Sequence, residues 1–354
     1  MIRQVDEGYM RLALQLARRK KGSTHPNPTV GAVVVKDGKI VAVGQHEGPG
    51  KPHAEAVALK RAGKEAEGST LYVTLEPCTH HGRTPPCCEL ILEKGVRRVV
   101  IAVRDPNPQA GGGVEYLKEA GLEVEVGVLE EEARRLNEDF FTFVTHDRPF
   151  VTLKWAQTLD GKLATSEGKS KWITSEESRK LAHALRREAT AVLVGVGTVL
   201  KDDPLLTVRL VPTERQPVRV VLDPQLRIPL DSKLVKDKSA PTWVLTATES
   251  EKTKALREEG VKIVLVKEFT LPQVLKKLKE LEVVHLLVEG GAETLTAFLR
   301  EGLFDRIALF MSPRFFGEGI GIGALGVKEV EDAPPLRRRR LVPLGDEVFM
   351  ELGR

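Results

Sequence analysis

The sequence predicts an α/β protein in two domains, and three observations carry that prediction. At 354 residues the chain is long for a single hydrophobic core. Residues 1–147 alternate β-rich runs with helical stretches, and residues 148–354 do so again around short apolar runs that suit a mainly parallel sheet. Between them, Thr145-His146-Asp147-Arg148-Pro149 supplies turn chemistry just before a β pattern restarts at Phe150, which puts the boundary at Asp147.

In the first domain Ile2, Val5, Tyr9, Leu12 and Leu16 recur at helical spacing among charges. The stretch lacks the uninterrupted apolar core of an export signal, so it reads as an amphipathic helix of a soluble, cytoplasmic protein with no membrane partner. Val30 to Val35 and Ile40 to Gly44 flank Asp37-Gly38, the signature of a tight hairpin. A helix from His53 to Glu65, a strand from Leu71 to Leu75, a helix from Pro86, a strand from Val96 to Val103, a helix around Tyr116 and a strand around Val124 follow. One helix from Glu130 to Phe141 closes the domain. In the second domain a strand from Phe150 to Trp155 leads to a turn at Asp160-Gly161, then to a helix with Thr174 as N-cap and Glu177 completing a capping box. Ala191 to Val196, Val218 to Leu222, Trp243 to Thr246, Val261 to Val266, His285 to Val288 and Ile307 to Phe310 read as core strands, and Val348 to Leu352 as the final edge strand.

Composition narrows the function classes. A formal net charge of +4 over this length is too weak to make nucleic acid the default partner, and aromatics make up 5% of residues. The concentrated basic run, Arg337 to Arg340, reads as a solvated face. Three cysteines give no even disulfide framework and suit a reducing compartment. Asparagine occurs only as Asn27, Asn107 and Asn137 while Glu and Lys abound, a bias of proteins that work at high temperature.

The chemistry is densest at His53-Ala54-Glu55, Glu76-Pro77-Cys78 and Pro85-Pro86-Cys87. Zinc accepts imidazole and thiolate, and His53, Cys78 and Cys87 would leave its fourth position for water, as a catalytic site requires. Glu55, two residues past the histidine, is placed to move protons between water and a departing amine. His-x-Glu and Pro-Cys belong to the zinc-deaminase signature, although its Cys-x-x-Cys has become a spacing of nine from Cys78 to Cys87. Both thiols fit if they sit near one helix N-terminus, which favours thiolate. Cys88 reads as a core thiol, since adjacent helical residues point in different directions. His80 and His81 are either substrate contacts or loop residues. In the second domain Gly195-Val196-Gly197-Thr198 and Glu289-Gly290-Gly291-Ala292-Glu293-Thr294 each end a strand and suit a diphosphate, but neither is the dinucleotide-binding fingerprint.

Together these motifs resemble one family. His46, His53-Ala54-Glu55, Thr74-Leu75-Glu76-Pro77-Cys78, Gly82-Arg83-Thr84-Pro85-Pro86-Cys87 and Asp105-Pro106-Asn107-Pro108 look like the deaminase half of the bifunctional riboflavin-biosynthesis deaminase/reductase. Leu159-Asp160-Gly161-Lys162, Ser170-Lys171-Trp172-Ile173-Thr174, Val194 to Thr198, Asp202-Asp203-Pro204 and Val288 to Gly291 look like its reductase half. The resemblance implies a cytidine-deaminase-like α/β/α domain followed by a dihydrofolate-reductase-like α/β domain. It implies zinc and NADPH as cofactors, a small phosphoribosyl pyrimidine as substrate, and two successive reactions: hydrolytic deamination, then reduction of the ribosyl chain to ribityl. By position it assigns zinc to His53, Cys78 and Cys87, the proton shuttle to Glu55, and substrate contacts to Asn27, His46 and Arg83. In the reductase half it assigns the cofactor to Ala156, Trp172, Thr198, Asp202, Gly291, Ala292, Glu293, Thr294, Leu295, Thr296 and Ala297. Ser170, Arg186, Leu206, Arg209 and Glu289 would hold the second substrate, and Lys154 is a further positioning candidate. A homo-oligomer is expected.

Two rival readings frame the expectation. A nucleic-acid base deaminase with an appended recognition domain shares His-x-Glu and Pro-Cys, but the weak charge and scarce aromatics count against it. A zinc-stabilised interaction module leaves Glu55 without a purpose.

Overall fold

A computed structural model describes residues 2–80, 85–170 and 173–354, and the chain separates into two compact units, Met1–His146 and Asp147–Arg354. In the first, α1 (Ile2–Arg18), β1 (Gly31–Lys36), β2 (Lys39–Gln45), α2 (Ala54–Ala62), β3 (Thr70–Val73), α3 (Cys87–Glu93), β4 (Arg98–Ile101), α4 (Gly113–Glu119), β5 (Glu123–Val126), α5 (Glu130–Leu136) and α6 (Glu138–Thr145) follow in order. The strands form a sheet in the order β2-β1-β3-β4-β5, antiparallel around β1 and parallel from β3 to β5. Asp37 and Gly38 take φ of 50° and 72°, the positive values that a two-residue hairpin turn requires.

Two expectations change here. Of the expected apolar positions of α1, Leu16 is buried and Tyr9 and Leu12 pack against the core that Met10, Ala13, Leu14 and Ala17 enter, but Val5 is exposed, while Asp6 beside it is buried beneath Tyr72 and Arg98. The single helix from Glu130 to Phe141 is two helices, interrupted at Asn137 with φ −114° and ψ 20°.

The second unit carries β6 (Phe150–Thr158), β7 (Lys162–Thr165), α7 (Glu176–Glu188), β8 (Ala191–Gly195), α8 (Val196–Asp202), β9 (Val218–Leu222), α9 (Lys233–Lys236), β10 (Thr242–Thr246), α10 (Glu251–Glu258), β11 (Lys262–Leu265), α11 (Leu271–Glu280), β12 (His285–Gly290), α12 (Ala292–Glu301), β13 (Arg306–Ser312), β14 (Gly319–Gly321), β15 (Arg337–Leu344) and β16 (Glu347–Gly353). Nine of these strands form one sheet, in the order β11-β10-β9-β8-β12-β6-β13-β16-β15. It is parallel from β11 to β13, and its central strands are continuous apolar runs, as a sheet covered on both faces demands. β16 and then β15 add antiparallel, so Val348 to Leu352 is not the edge; the edge is the strand that begins with Arg337 to Arg340. The cap of α7 is Ser175 rather than Thr174, its hydroxyl accepting from the Ser178 N–H at 3.3 Å. Glu347 shifts the start by one residue, since its carboxylate accepts from the Ser175 N–H and hydroxyl and from the Ser178 hydroxyl.

Candidate active sites

In the first unit three elements converge on one point. His53 is the N-cap of α2, Cys78 ends the extended chain after β3, and Cys87 opens α3. Close packing of α2 on the hairpin makes this possible, because a Cβ on Gly44 would lie 2.2 Å from the Ala54 carbonyl oxygen. The ligand atoms of His53, Cys78 and Cys87 all lie within 4.8 Å of one another. His53 Nδ1 is 3.3 Å from Cys87 Sγ and 3.6 Å from Cys78 Sγ. A tetrahedral zinc with Zn–S near 2.3 Å and Zn–N near 2.0 Å sets N···S edges of about 3.5 Å, so this donor set fits the metal. The Cys87 N–H, at the start of α3, points at Cys78 Sγ from 3.4 Å. The Cys87 thiol and the His53 ring favour the Cys78 thiolate, bringing its pKa down to about 4 against the opposing effect of burial. Donation to Cys78, together with burial, pushes the Cys87 thiol up. Cys88 turns into the core beside Pro77 and is pushed up to about 12 by burial.

Behind these ligands Glu55 is buried, and burial raises its carboxyl above the ordinary range despite His53 nearby. A cavity of about 190 Å³ opens in front, lined by Asn27, His46, His53, Glu55, Cys78, His80, Asp105, Asn107 and Phe140 among others. His46 Nδ1 lies 3.1 Å from the Pro52 carbonyl oxygen and its Nε2 lies 3.1 Å from Asn27 Nδ2. One arrangement satisfies both bonds: Nδ1–H donates to Pro52 and Nε2 accepts from the Asn27 amide, which makes the ring neutral. Burial lowers the His46 pKa in the same sense. Glu76 braces the far wall, accepting the N–H groups of Asp105 at 3.0 Å and Val114 at 2.9 Å. Burial raises Asp105 to about 6. Arg83 and His81 lie outside the described residues.

In the second unit a larger cavity, about 610 Å³, lies where β6, β8, β9 and β12 end and α8 and α12 begin. Lys154, Ala156, Ser170, Thr198, Asp202, Glu289 and residues 291–295 line it. Thr198 Oγ1 accepts the Gly291 N–H at 3.0 Å, tying the two glycine turns together. A Cβ on Gly195 would stand 2.6 Å from Thr294 Oγ1, so any larger residue would have to displace that hydroxyl. Thr296 and Ala297 do not line the cavity; Thr296 hydrogen-bonds Ala292 and Gly323 instead. Trp172 lies outside the described residues. Arg186 reaches the cavity through Glu289, with Nε to Oε1 at 2.5 Å and Nη2 to Oε2 at 2.8 Å, and Lys154 Nζ is 3.7 Å from the same carboxylate. Burial alone would raise Glu289, but Arg186 and Lys154 outweigh it and hold the carboxyl at about 2. Burial lowers Lys154 and, with Arg186 and Arg209, brings His183 down to about 4. Leu206 is buried, and Arg209 bonds Thr207 Oγ1 at 2.7 Å.

Sequence reasoning missed several lining residues. Asp105 and Asn107 were visible in the Asp-Pro-Asn-Pro motif but received no role. Phe140, Lys201 and Arg227 line the cavities without any local signal.

Comparison with known proteins agrees with this geometry. Residues 3–103 match the cytidine and deoxycytidylate deaminase zinc-binding region, and residues 149–348 match the RibD C-terminal domain. The riboflavin biosynthesis protein RibD of Aquifex aeolicus is 62% identical over 99% of both chains, and that of Escherichia coli is 39% identical over 98% of this chain and 99% of its own. A solved Thermotoga maritima diaminohydroxyphosphoribosylaminopyrimidine deaminase/5-amino-6-(5-phosphoribosylamino)uracil reductase superposes with TM-score 0.92 at 42% identity, covering 100% of this chain and 99% of that one. Acinetobacter baumannii RibD does so with TM-score 0.91 at 35% identity, with the same coverage. The two folds are cytidine-deaminase-like and dihydrofolate-reductase-like, as expected from the sequence. With a zinc-type donor set in one unit and a glycine-walled cavity in the other, this chain belongs to the bifunctional riboflavin-biosynthesis deaminase/reductase family.

Proposed function

We propose that the Met1–His146 unit removes the 2-amino group of 2,5-diamino-6-(5-phosphoribosylamino)pyrimidin-4-one by hydrolysis, and that the Asp147–Arg354 unit then reduces the ribosyl chain of the product to ribityl. His53, Cys78 and Cys87 would hold zinc, which when bound would supply Lewis acidity and lower the pKa of water. Glu55 takes the proton from water as the C–O bond forms and returns it to nitrogen as the C–N bond breaks, releasing ammonia. Its burial and raised affinity for a proton suit that exchange. Asn27 donates to His46 and keeps its carbonyl oxygen and second amide hydrogen for the pyrimidine. Arg83 is assigned to the phosphoribosyl arm.

In the reductase cavity NADPH supplies the hydride. Ala156, Thr198, Asp202 and the turn from Gly291, which line the cavity, would hold it, with Trp172 assigned to the same site by the family resemblance, and the free backbone N–H groups at the start of α12 would suit a diphosphate. Ser170, Leu206, Arg209 and Glu289 would hold the substrate, with Arg209 offering donors to its phosphate, while Arg186, whose guanidinium is taken up by Glu289 and the Thr207 carbonyl, would act by orienting Glu289. Glu289 keeps Lys154 at the wall as a positioning group. Three unpaired thiols and a phosphorylated intermediate suit a cytoplasmic setting, and no helix among the described residues is long and apolar enough to cross a membrane.

The observation that carries the reading is the convergence of His53, Cys78 and Cys87 in front of buried Glu55. Mass spectrometry of the diamino pyrimidine phosphate tests it. Without NADPH one amino group should be replaced by oxygen; with NADPH the product should gain two further hydrogens. An unchanged substrate, with deamination of tRNA instead, would favour the nucleic-acid reading.

A further inference from the structure

We infer that the junction between α5 and α6 is a clasp that positions Asn27, and through it the His46 ring, at the deaminase pocket; this rests on the reading of that pocket given above. Asn137 and Asp139, the residues that form the clasp, lie beyond the span matched to the deaminase zinc-binding region, and Phe140 beside them lines the cavity.

Asn137 breaks what would be one continuous helix, and its side chain is then used in full. Its Oδ1 accepts the Thr29 N–H and its Nδ2 donates to the Thr29 carbonyl, both at 2.9 Å. Asparagine alone offers a donor and an acceptor on so short a stem: aspartate lacks the donor, and glutamine is a methylene longer. Asp139 holds the other end of the same loop. One carboxylate oxygen takes Lys21 Nζ at 2.6 Å and the other faces His25 Nε2 at 3.0 Å. Lys21 also donates to the Leu136 carbonyl at 2.7 Å, where the last carbonyls of α5 favour a cation. Asn27 thus sits between two anchored points, two residues after His25 and two before Thr29, and its amide reaches His46 Nε2 at 3.1 Å.

A tie made by one of these bonds could use many residues, whereas the two-bond grip on Thr29 requires asparagine. The chain has three asparagines in 354 residues; Asn27 and Asn107 line the pocket, and the third is Asn137. A sequence that otherwise avoids asparagine keeps one where helix continuity alone would favour almost any other residue. Asn137 and Asp139 are 1% and 2% exposed, so neither serves solubility.

The test is a double-mutant cycle in the zinc-loaded, full-length protein. Asn137→Ala and Asp139→Asn should each lower kcat/KM for deamination by about tenfold, mainly through KM, and in an Asn27→Ala background each should cost less than about twofold. Zinc content and reduction of the deaminated substrate should match the parent. Losses that multiply independently of Asn27, or that track lost zinc, would overturn the clasp. Should Asn137→Ala not fold, Asp139→Asn decides, since it is isosteric and keeps the acceptor for the Phe140 N–H. 15N NMR of the His46 ring gives a readout without substrate: its Nε2 resonance should move in Asp139→Asn in the direction it moves in Asn27→Ala, and an unmoved resonance overturns the inference. If the parent protein leaves the pyrimidine untouched while the resonance moves, the substrate reading fails and the clasp stands.

Discussion

Two buried glutamates, one in each unit, show how far neighbours decide what the same side chain does. Glu55 sits behind a histidine and two sulfurs, no guanidinium or ammonium among the described residues is paired with it, and burial lifts its proton affinity. Glu289 is as deeply enclosed, yet a bidentate Arg186 and a nearby Lys154 keep it ionised, at about 2. Burial leaves the first with a raised proton affinity, and the two cations hold the second as an anion. Burial alone therefore does not mark a catalytic acid; the count of cations in contact does.

The largest expected effect tests the first half of that contrast. Glu55→Gln keeps size and hydrogen bonding but cannot take up a proton, so deamination should fall by at least roughly 10³-fold, since one group serves both the attacking water and the leaving amine. Reduction of supplied 5-amino-6-(5-phosphoribosylamino)uracil, followed by NADPH oxidation, should stay within about twofold of the parent; a collapse of reduction would mean that the units share catalytic groups. The second half is broken by Glu289→Gln, which leaves Arg186 and Lys154 buried without their anion. We expect a loss of about 3–5 kcal/mol in the stability of the reductase unit, read by denaturant unfolding, with part of it recovered by adding Arg186→Met. An unchanged midpoint would show that the carboxylate is not the partner that holds those cations.

A gentler version uses acid. The Glu289 pKa is depressed from 4.5 to about 2, so between those values the unfolded chain binds a proton that the folded chain refuses. Its contribution is whole above about pH 4.5 and is lost as pH falls toward 2, on the order of 3 kcal/mol in all. Comparing the pH dependence of parent and Glu289→Gln stability isolates it; parallel curves would contradict the assignment. The smallest effect belongs to Cys88. Cys88→Ser should retain zinc and deaminate within about twofold of the parent, whereas Cys78→Ser should lose metal and activity together. Metal analysis showing the reverse would move the ligand set.

What was legible in the sequence follows from how local each constraint is. Zinc ligation demands particular residue types close together, so His53, Glu55 and Cys78 could be found by spacing, and Cys87 by its place after two prolines. Strand positions in the second unit were legible because buried parallel strands must be apolar throughout. The break at Asn137 was not, because its reason lies at Thr29, more than a hundred residues earlier in the chain. The cap of α7 was misplaced for the same reason: Glu347 reaches it from near the other end of the chain. On α1 only Val5 was misplaced, because the buried position beside it belongs to Asp6, paired with Arg98 and invisible to an apolar count.

The basic run at Arg337 to Arg340 has a consequence for the protein at high concentration. It forms the outer strand of a nine-stranded sheet, whose unpaired backbone groups are a template for another chain. In-register stacking of copies, the geometry of fibrils, would set each of these guanidinium groups against itself along the stack. Pro343, in the same strand, removes one donor from the edge. The opposite edge, β11, is four residues long and begins with Lys262. Both margins of the sheet are thus ended by charge or brevity, features that oppose strand-by-strand pairing between copies.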